Sequence, residues 1–435
     1  MARRRLVWGL VSLGLLALFL SIWIGEPIAM TDPVASPPAP APTAERPDVR
    51  PAAPEKRETI RVAVLASPDE FAAFEEQNRL FRSRHPQIHA ELVRLSEEEA
   101  KAAADPAHAH RLAQDGDVWL VPNETVLAMA VNGWLLPVDD VFVGAGSQPF
   151  AAVMDSVKWN GLSWGVPYDM DPHVLVWNRD VLETLAASLE GGKRILPPEG
   201  VEASPSMTWD LWRRFPALLA ETEPDMAVFA LDPADPSAWL AWFASASGAR
   251  ADLPLADSRA SALTREAEEW LAAWGERLLK ASGDALPAAV RAGRAAVAVV
   301  PHSVALRARE ADKDGKLVLD RSGWHRPFAW PRGRSFVVRA DTRYPEAARA
   351  WIAAFTERDA QWRHFERHRK LPAHRLLFES LTLGEFQAGQ APADAFPQAP
   401  PLVTGPDVPE RLERLANRWQ SVAGGRWTPD EWPDS

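Results

Sequence analysis

The stretch KWNGLSWGVPYDMDPHVLVWN, residues 158–178, places a short acidic and aromatic segment between two apolar runs. The runs, residues 162–167 and 174–177, have the length and composition of β-strands. The segment between them contains Tyr168, Asp169, Asp171 and His173. Three roles are open for its carboxylates: they catalyse a reaction, they bind a ligand, or they are ordinary polar side chains of a loop.

The composition limits the functions that are open to the chain. With 435 residues, 47% of them hydrophobic, the chain is long enough to bury the cores of two or three domain-sized units. Its formal net charge of −11 argues against a nucleic-acid partner, because phosphate binding needs a concentrated basic face. The absence of cysteine excludes disulfides, thiolate metal sites and cysteine nucleophiles. There are 20 tryptophans against 2 tyrosines, so some indole rings are candidates for stacking on a ligand.

The N-terminal residues 1–30 have the pattern of a membrane anchor. Three arginines at 3–5 precede residues 6–24, an uncharged run that is roughly long enough to cross a ~30 Å hydrocarbon core. The following GEPIA offers no small-x-small cleavage site, which favours an uncleaved anchor over a signal peptide. The positive-inside tendency keeps the arginines cytoplasmic. We therefore expect a protein of the cell membrane whose bulk, after residue 30, is extracytoplasmic.

The rest of the chain divides into a spacer and a large folded region. Residues 31–57 are rich in proline and alanine and predict a semi-extended spacer. In region 58–435 strands alternate with amphipathic helices, beginning with a strand at 60–66 and a helix that the sequence SPDE would cap. This alternation predicts an α/β fold with a mostly parallel sheet covered on both faces. A helix is also predicted from Trp209, with Pro216 expected to kink or end it.

Several segments, in their order and spacing, carry a resemblance to a known family. They are GDVWLVPNETVLAMAVNGWLLPVDD, VKWNGLSWGVPYDMDPHVLVWNRDVL, MTWDLW, GRAAVAVVPHS, GRSFVVRADTRYPEAARAWIAAFT and GRWTPDEW. Each segment is short and degenerate, but their order and spacing extend the resemblance over residues 59–432, nearly the whole of the chain after the spacer. In this arrangement the chain resembles the extracytoplasmic solute-binding proteins of ABC transporters for sugars and oligosaccharides. One departure is the turn PRGR at 331–334, which replaces a glycine-rich turn of the family.

The resemblance implies the fold, the partners and the mode of action. Two α/β lobes with mixed sheets, the type II periplasmic-binding arrangement, would be joined by a hinge and close on a ligand held between them. Lobe 1 would comprise about 58–168 and 322–355, and lobe 2 about 169–321 and 356–435. The implied partners are a carbohydrate and the transmembrane subunits of an ABC permease. The resemblance implies a monomer without cofactor or metal.

Two candidate ligand residues follow predicted strands; for Glu124 the assignment rests on the resemblance, since the family often uses polar residues there for ligand hydrogen bonds. Asp69 follows the first predicted strand and Glu124 follows the third. Both would lie at the edge where the carboxyl ends of the strands face a crevice. The neighbouring Glu70 is better explained as a helix-capping residue.

The resemblance adds further candidates. It makes the segment around Asp171 the first hinge crossing, with Asp171 accepting sugar hydroxyl hydrogens and Tyr168 at the cleft wall. His302 ends a buried strand at a ligand-contacting position of the family. Tryptophans at 242 and 330 would stack on the ligand. The complete candidate set is Asp69, Glu124, Tyr168, Asp169, Asp171, Trp242, His302 and Trp330.

Alternatives to transport and to sugar binding remain open on the sequence. A glycosidase would use Asp169 and Asp171, but both belong to one extended segment and would point to the same side, unlike an acid and base placed across a bond. A membrane-anchored glycan sensor would keep the fold without a permease. His364 and His368 stand four residues apart, but they lack the zinc-protease motif and arginines surround them.

Overall fold

The computed structural model describes residues 57–96, 116–142, 149, 151–188, 207–247, 262–321, 332–377 and 405–426. All of them belong to one unit, Glu55–Ser435. The predicted anchor at 6–24, nearly all of the spacer and Trp330 lie outside these residues. Among the helices that are described, none combines the length and the apolar character needed to cross a bilayer.

A seven-stranded mixed sheet forms the first of two large sheets. Its strands run in the order β14-β7-β13-β3-β1-β2, with β4 also paired to β13. The pairs β1–β2 and β1–β3 are parallel, whereas β13 and β14 pair antiparallel with their neighbours. The strands are β1 (Glu58–Leu65), β2 (Ile88–Leu95), β3 (Val118–Pro122), β4 (Leu135–Leu136), β7 (Val166–Met170), β13 (Gly333–Arg339) and β14 (Leu371–Pro372).

A five-stranded mixed sheet forms the second, in the order β10-β9-β11-β8-β12. β8 pairs antiparallel with both of its neighbours, while β9 pairs parallel with β10 and β11. A separate hairpin consists of β5 (Lys158–Trp159) and β6 (Leu162–Ser163). The strands of the second sheet are β8 (His173–Asn178), β9 (Ala227–Leu231), β10 (Leu278–Lys280), β11 (Ala295–Pro301) and β12 (Leu317–Asp320).

Helices pack on both sheets. They are α1 (Pro68–Arg84), α2 (Asn123–Val131), α3 (Ala151–Asp155), α4 (Arg179–Ser188), α5 (Trp209–Thr222), α6 (Pro236–Ser247), α7 (Ala262–Trp274), α8 (Ala285–Arg291), α9 (His302–Glu310), α10 (Pro345–Thr356), α11 (Arg358–His368) and α12 (Val408–Ala423), with 3-10 turns at Asp139–Phe142 and Gly275–Arg277.

The predicted start of α1 is confirmed in detail. The Ser67 hydroxyl accepts from the Glu70 backbone N–H, and the Glu70 carboxylate accepts from the Ser67 N–H, at 3.2 and 3.0 Å. Pro68 occupies the first helical position, where its missing N–H is not needed. The capping box thus fixes the direction in which α1 leaves β1.

The stretch 158–178 passes from one sheet to the other. Asn160 and Gly161, both with positive φ, form the two-residue turn of the β5–β6 hairpin. The single strand expected at 162–167 is divided, because Ser163 pairs within the hairpin whereas Val166 pairs with β13. β7 then ends in the first sheet at Met170, and β8 begins in the second sheet three residues later.

The C-terminal part of the chain serves both sheets. Strand β14 pairs with β7 in the first sheet, although the sequence analysis assigned all of 356–435 to the second lobe. Helix α12 packs on α6 and α7, and its Trp419 is fully buried in the core of the second sheet. β7 also continues two residues beyond the expected lobe boundary at 168. The expected lobes therefore differ from the sheets at both places.

Aromatic residues fill the core beside the second sheet, and this accounts for much of the tryptophan content. Trp242 is 0% exposed and lies in this core, not on an exposed wall as expected. Its ring stacks on Phe229 with centroids 5.8 Å apart. Other members of the cluster are Trp177, Trp212, Trp239, Trp270 and Trp419.

Pro216 was predicted to kink or end the helix; it lies inside α5, which continues to Thr222, so the helix does not end there. A proline cannot donate to the carbonyl four residues earlier, here that of Trp212. That carbonyl instead accepts from the Trp270 indole N–H at 3.0 Å. A side chain from α7 thus supplies the hydrogen bond that the helix lacks, which reduces the cost of the proline.

Candidate functional site

The crossing between the sheets is surrounded by buried charged side chains. Asp169 lies on β7, Arg334 on β13, Glu70 at the start of α1 and His364 on α11. The Arg334 Nε lies 3.2 and 3.1 Å from the two Asp169 carboxylate oxygens, and its Nη2 lies 2.9 Å from a Glu70 oxygen. Arg334 Nη2 also pairs with Asp169. One guanidinium thus joins two carboxylates from different elements.

The electrostatics of this cluster keep both acids ionised. Burial alone would raise the pKa of Asp169 and of Glu70, but Arg334, Lys370 and His364 together outweigh it and hold each pKa well below its usual range. Lys370 adds a second cation, with its Nζ 2.7 Å from Glu70. The two carboxylates raise the pKa of Arg334 in return. The cluster therefore carries matched charges at neutral pH.

A metal ion is a poor occupant for the same cluster. Ligand atoms of Glu70, Asp169 and His364 all lie within 4.8 Å of one another, which is close enough to hold a cation. The Arg334 and Lys370 side chains already contact these carboxylates, however, and would repel a divalent ion. The His364 Nε2 also lies 3.0 Å from an Asp169 oxygen. The arrangement favours internal ion pairing.

Asp171 bonds to the other side of the crossing. Its two carboxylate oxygens accept from the Ser303 backbone N–H at 2.8 Å and from the Ser303 hydroxyl at 2.7 Å. Ser303 lies in the first turn of α9, where backbone N–H groups need partners and a negative charge is favourable. The Asp171 N–H donates to the Arg332 carbonyl at 2.6 Å. Asp171, only 8% exposed, thus joins the crossing to α9 and β13.

The carboxylates of Asp169 and Asp171 do not face the same place in the structure. Asp169 bonds to Arg334 and His364 beside the first sheet, whereas Asp171 bonds to α9 beside the second. The expectation that they point to the same side is wrong, because β7 ends between them and the chain turns towards β8. Each carboxylate also has an internal partner. This geometry does not favour a glycosidase acid pair.

A second, half-buried ion cluster was missed by sequence reasoning. His173 Nε2 and Arg332 Nη2 each lie 3.1 Å from an Asp235 oxygen. Burial would raise the pKa of Asp235, but Arg332 and His173 hold it well below its usual range. Arg332 has φ +29°, an unfavourable value for a side chain larger than glycine. The unusual PRGR turn was the available signal, since it supplies one arginine to each cluster.

Gly333, between these two arginines, allows the close approach of the strands. A Cβ at this position would lie 2.2 Å from the Asp169 carbonyl oxygen. Only glycine fits there without a shift of the backbone. The glycine therefore lets Arg334 reach Asp169 and Arg332 reach Asp235 from neighbouring positions.

The remaining predicted residues lie in three different environments. Asp69 is exposed on the first turn of α1, and Glu124 is half-buried at the start of α2. Tyr168 is buried between Phe74 and Phe336, with ring centroids 5.5 and 4.9 Å away, so it lies in the core of the first sheet. The structure brings Tyr168 and Asp169 together and places Trp242 apart from both, in the core beside the second sheet.

His302 is buried at the start of α9. Its Nε2 lies 3.4 Å from the Arg321 guanidinium. Burial lowers the pKa of His302 well below its usual value, and the Arg321 charge lowers it further. The imidazole is therefore neutral at pH 7. The His302 side chain is 1% exposed, so a ligand could not contact it in this conformation.

Comparison with known proteins identifies the family. Residues 71–373 match the family model of bacterial extracellular solute-binding proteins. The chain belongs to this family. In this solute-binding protein the match begins in α1 and ends just after β14, so it includes the second sheet, the crossing and every strand of the first sheet except β1. No curated protein sequence matches it.

Solved structures share the fold of this solute-binding protein. The GacH receptor of Streptomyces glaucescens is 18% identical, with a TM-score of 0.62 over 86% of this chain and 95% of that chain. A solute-binding protein from Thermotoga lettingae is 17% identical, with a TM-score of 0.63 over 86% and 96%. MalE3 of T. maritima is 13% identical, with a TM-score of 0.60 over 86% and 96%. At these identities the likeness establishes the fold.

The buried histidines predict a loss of stability in mild acid. Burial lowers the pKa of His302 and His364, and it lowers the pKa of His368 to about 4. A lowered folded pKa means that the unfolded chain binds protons first as pH falls below about 6.5. We expect the free energy of unfolding to fall between pH 7 and pH 4.5 by on the order of 1 kcal/mol.

Denaturant unfolding at pH 7, 5.5 and 4.5 measures this dependence. His368→Asn should make the pH dependence shallower, because it removes one of the three groups while leaving the two more deeply buried ones. An unfolding free energy that is constant or rises towards pH 4.5 would contradict the prediction.

Proposed function

We propose that this protein is the substrate-binding component of an ABC importer and that it binds a sugar or oligosaccharide between its two sheets. The observation that carries the proposal is the family match over 71–373, which includes the crossing and strands of both sheets. Structures of similar fold were solved with acarbose for GacH, tagatose for the T. lettingae protein and maltose for MalE3. These ligands share neutral, hydroxyl-rich chemistry.

Among the predicted contact residues, Asp69 and Glu124 are the best placed for ligand hydroxyls. Both follow strands of the first sheet at their carboxyl ends, and neither is fully buried. Asp169 and Asp171 are occupied by internal partners, and we assign them to holding the crossing in place. Tyr168, Trp242 and His302 would contact ligand only in a conformation that exposes them.

The proposed mechanism is closure of the two sheet-containing halves on the ligand. The crossing at 171–172 joins the halves, so rotation about this segment would open a cleft. A ligand that contacts both halves stabilises the closed state by its difference in affinity for the two states. We further propose a monomer, tethered to the cell membrane by residues 6–24, that delivers ligand to permease subunits.

A thermal-shift screen of the full chain against mono- and oligosaccharides tests the proposal. A ligand present at one hundred times its Kd should add about 2.7 kcal/mol to the free energy of unfolding and raise Tm. Asp69→Asn and Glu124→Gln should reduce that shift. Asp314→Asn, which changes an exposed acid in the turn before β12, is the matched control and should leave the shift intact.

The outcomes separate this proposal from its rivals. A shift with peptides or polyamines and none with any sugar would contradict the carbohydrate assignment while leaving the family intact. A sugar shift combined with unchanged uptake in a deletion strain would favour a glycan sensor. That second candidate is motivated by the predicted anchor, since the chain has no cysteine to carry a lipid.

A further inference from the structure

A basic cavity lies at the end of α1 that is remote from its capped start. It has a volume of about 370 Å³ and lies next to the first described residue, Arg57. Three arginines line it, Arg57, Arg79 and Arg82, together with the side chains of Ser83 and His89. The cavity is thus strongly cationic in a chain whose net charge is −11.

The charges of these arginines are not neutralised internally. Arg57, Arg79 and Arg82 are exposed, and the structure shows no hydrogen bond or ion pair from their side chains to any described residue. Neighbouring arginines behave differently, since Arg84 lies 3.7 Å from Glu357 and Arg367 lies 3.4 Å from Glu76. The cavity therefore brings together three guanidinium groups that have no partner among the described residues.

Favourable interaction with the C-terminal end of the α1 dipole does not account for three arginines at this cavity. Arg82 lies in the last turn of α1 and complements the partial negative charge there, which amounts to about half an elementary charge. Three guanidinium groups exceed that charge several-fold. Arg57 precedes β1 and belongs to no helix. A net positive surface remains after the helix dipole is satisfied.

An exposed apolar side chain lies in the same turn of α1 as Arg79 and Arg82. Leu80 is 48% exposed, and its carbonyl accepts from the hydroxyl of Ser83, which lines the cavity. Cationic and apolar groups side by side suit an interface that offers negative headgroups above acyl chains. A free inorganic anion would use only the arginines and would leave Leu80 in water.

The covalent position of the cavity also points to a membrane. Residues 25–57, 33 in all, separate the predicted anchor from β1, and Arg57 is the last of them. Such a segment spans about 100 Å at most if fully extended as polyproline II, and about 30 Å on average if flexible. The cavity is therefore the part of the folded unit with the shortest connection to the bilayer.

We propose that the surface formed by Arg57, Arg79, Leu80 and Arg82 docks on the anionic lipid headgroups of the membrane in which the chain is anchored. The proposal goes beyond the binding of a solute and rests on the predicted anchor at 6–24. Docking would hold the first sheet next to the bilayer. The second sheet would stay free to move against it during closure.

Förster resonance energy transfer between a dye on the protein and a dye on the lipid tests this docking, with the full chain reconstituted in proteoliposomes. Gln87→Cys introduces the sole thiol of the chain, at an exposed position beside the cavity, and carries a donor dye. Acceptor-labelled lipid is included in vesicles of phosphatidylcholine alone or with about 30% phosphatidylglycerol. Three arginines near an anionic surface should favour the docked state roughly 100-fold, so transfer should be much higher in the anionic vesicles.

The docked signal should disappear in two independent ways. Raising NaCl to 0.5 M should abolish the difference between the vesicles, because exposed charges are screened. Arg57→Gln with Arg79→Gln and Arg82→Gln should also abolish it. The matched triple of Arg214→Gln, Arg291→Gln and Arg294→Gln, exposed arginines near the second sheet, should retain it.

Equal transfer in both vesicles, or no transfer in either, would overturn the proposal. So would an equal loss in the two triple variants, since this would show a general effect of net charge. Quenching by free phosphate at matched ionic strength would identify a soluble-anion site in place of a headgroup site and would also overturn it. The sugar thermal shift is independent of every one of these outcomes.

Discussion

Replacing Arg334 with methionine is expected to lower the free energy of unfolding by about 3–5 kcal/mol. The change keeps much of the side-chain volume but leaves Asp169 and Glu70 buried without their shared cation. Both carboxylates would then lose the interaction that holds their pKa down, and burial would favour their protonated forms. Denaturant unfolding at pH 7, followed by tryptophan fluorescence, measures the loss.

Two further variants show whether the loss comes from unpaired charge. Adding Glu70→Gln and Asp169→Asn to Arg334→Met should recover part of the lost stability, because no buried charge then remains unpaired. Arg339→Met, on the same strand, breaks a pair with the exposed Asp341 and should cost no more than about 1 kcal/mol. Equal effects of the two single methionine variants would contradict the assigned role of Arg334.

Trp242→Ala is expected to cost about 3–5 kcal/mol of stability, because it removes a fully buried indole from the aromatic core beside the second sheet. The ring centroid lies 5.3 Å from that of Trp270 and 5.4 Å from that of Trp419. The loss would therefore be felt in α6, α7 and α12 together. Trp362→Ala, at a half-exposed position on α11, should cost much less.

Trp242→Phe separates a packing role from a ligand-stacking role. Phenylalanine keeps an apolar ring in the core, so the variant should fold and lose less stability than the alanine variant. If Trp242 only packs, the sugar-dependent thermal shift should be the same as in the wild type. A folded Trp242→Phe protein without the sugar shift would instead restore Trp242 to the binding site.

Sequence patterns predicted well those elements of the fold that are specified by residues close together in the chain. The sequence SPDE predicted the start of α1, because a capping box needs only residues that are close in the chain. Of the two runs around Asp171, the second forms β8 as predicted, whereas the first is divided between β6 and β7. The crossing itself was expected from the order of segments along the whole chain.

The candidate site was less predictable because its contacts join distant parts of the chain. Asp169 and Arg334 are 165 positions apart, and Glu70 and Arg334 are 264 apart. No local period specifies such a pairing. The choice between Asp69 and Glu70 shows the same limit, since adjacent helical residues face directions about 100° apart. Glu70 faces inward and both caps α1 and binds Arg334, whereas Asp69 faces solvent.

The chain order of the two sheets has a consequence for biosynthesis. β13, near the middle of the first sheet, begins only at Gly333, and α12, a wall of the second core, ends at Ala423. The ribosome must therefore release nearly the whole polypeptide before either half can complete its core. Pairings of such long sequence separation form slowly. Neither core can therefore be complete while most of the chain is being synthesised, and a translocation channel threads such incompletely folded chains.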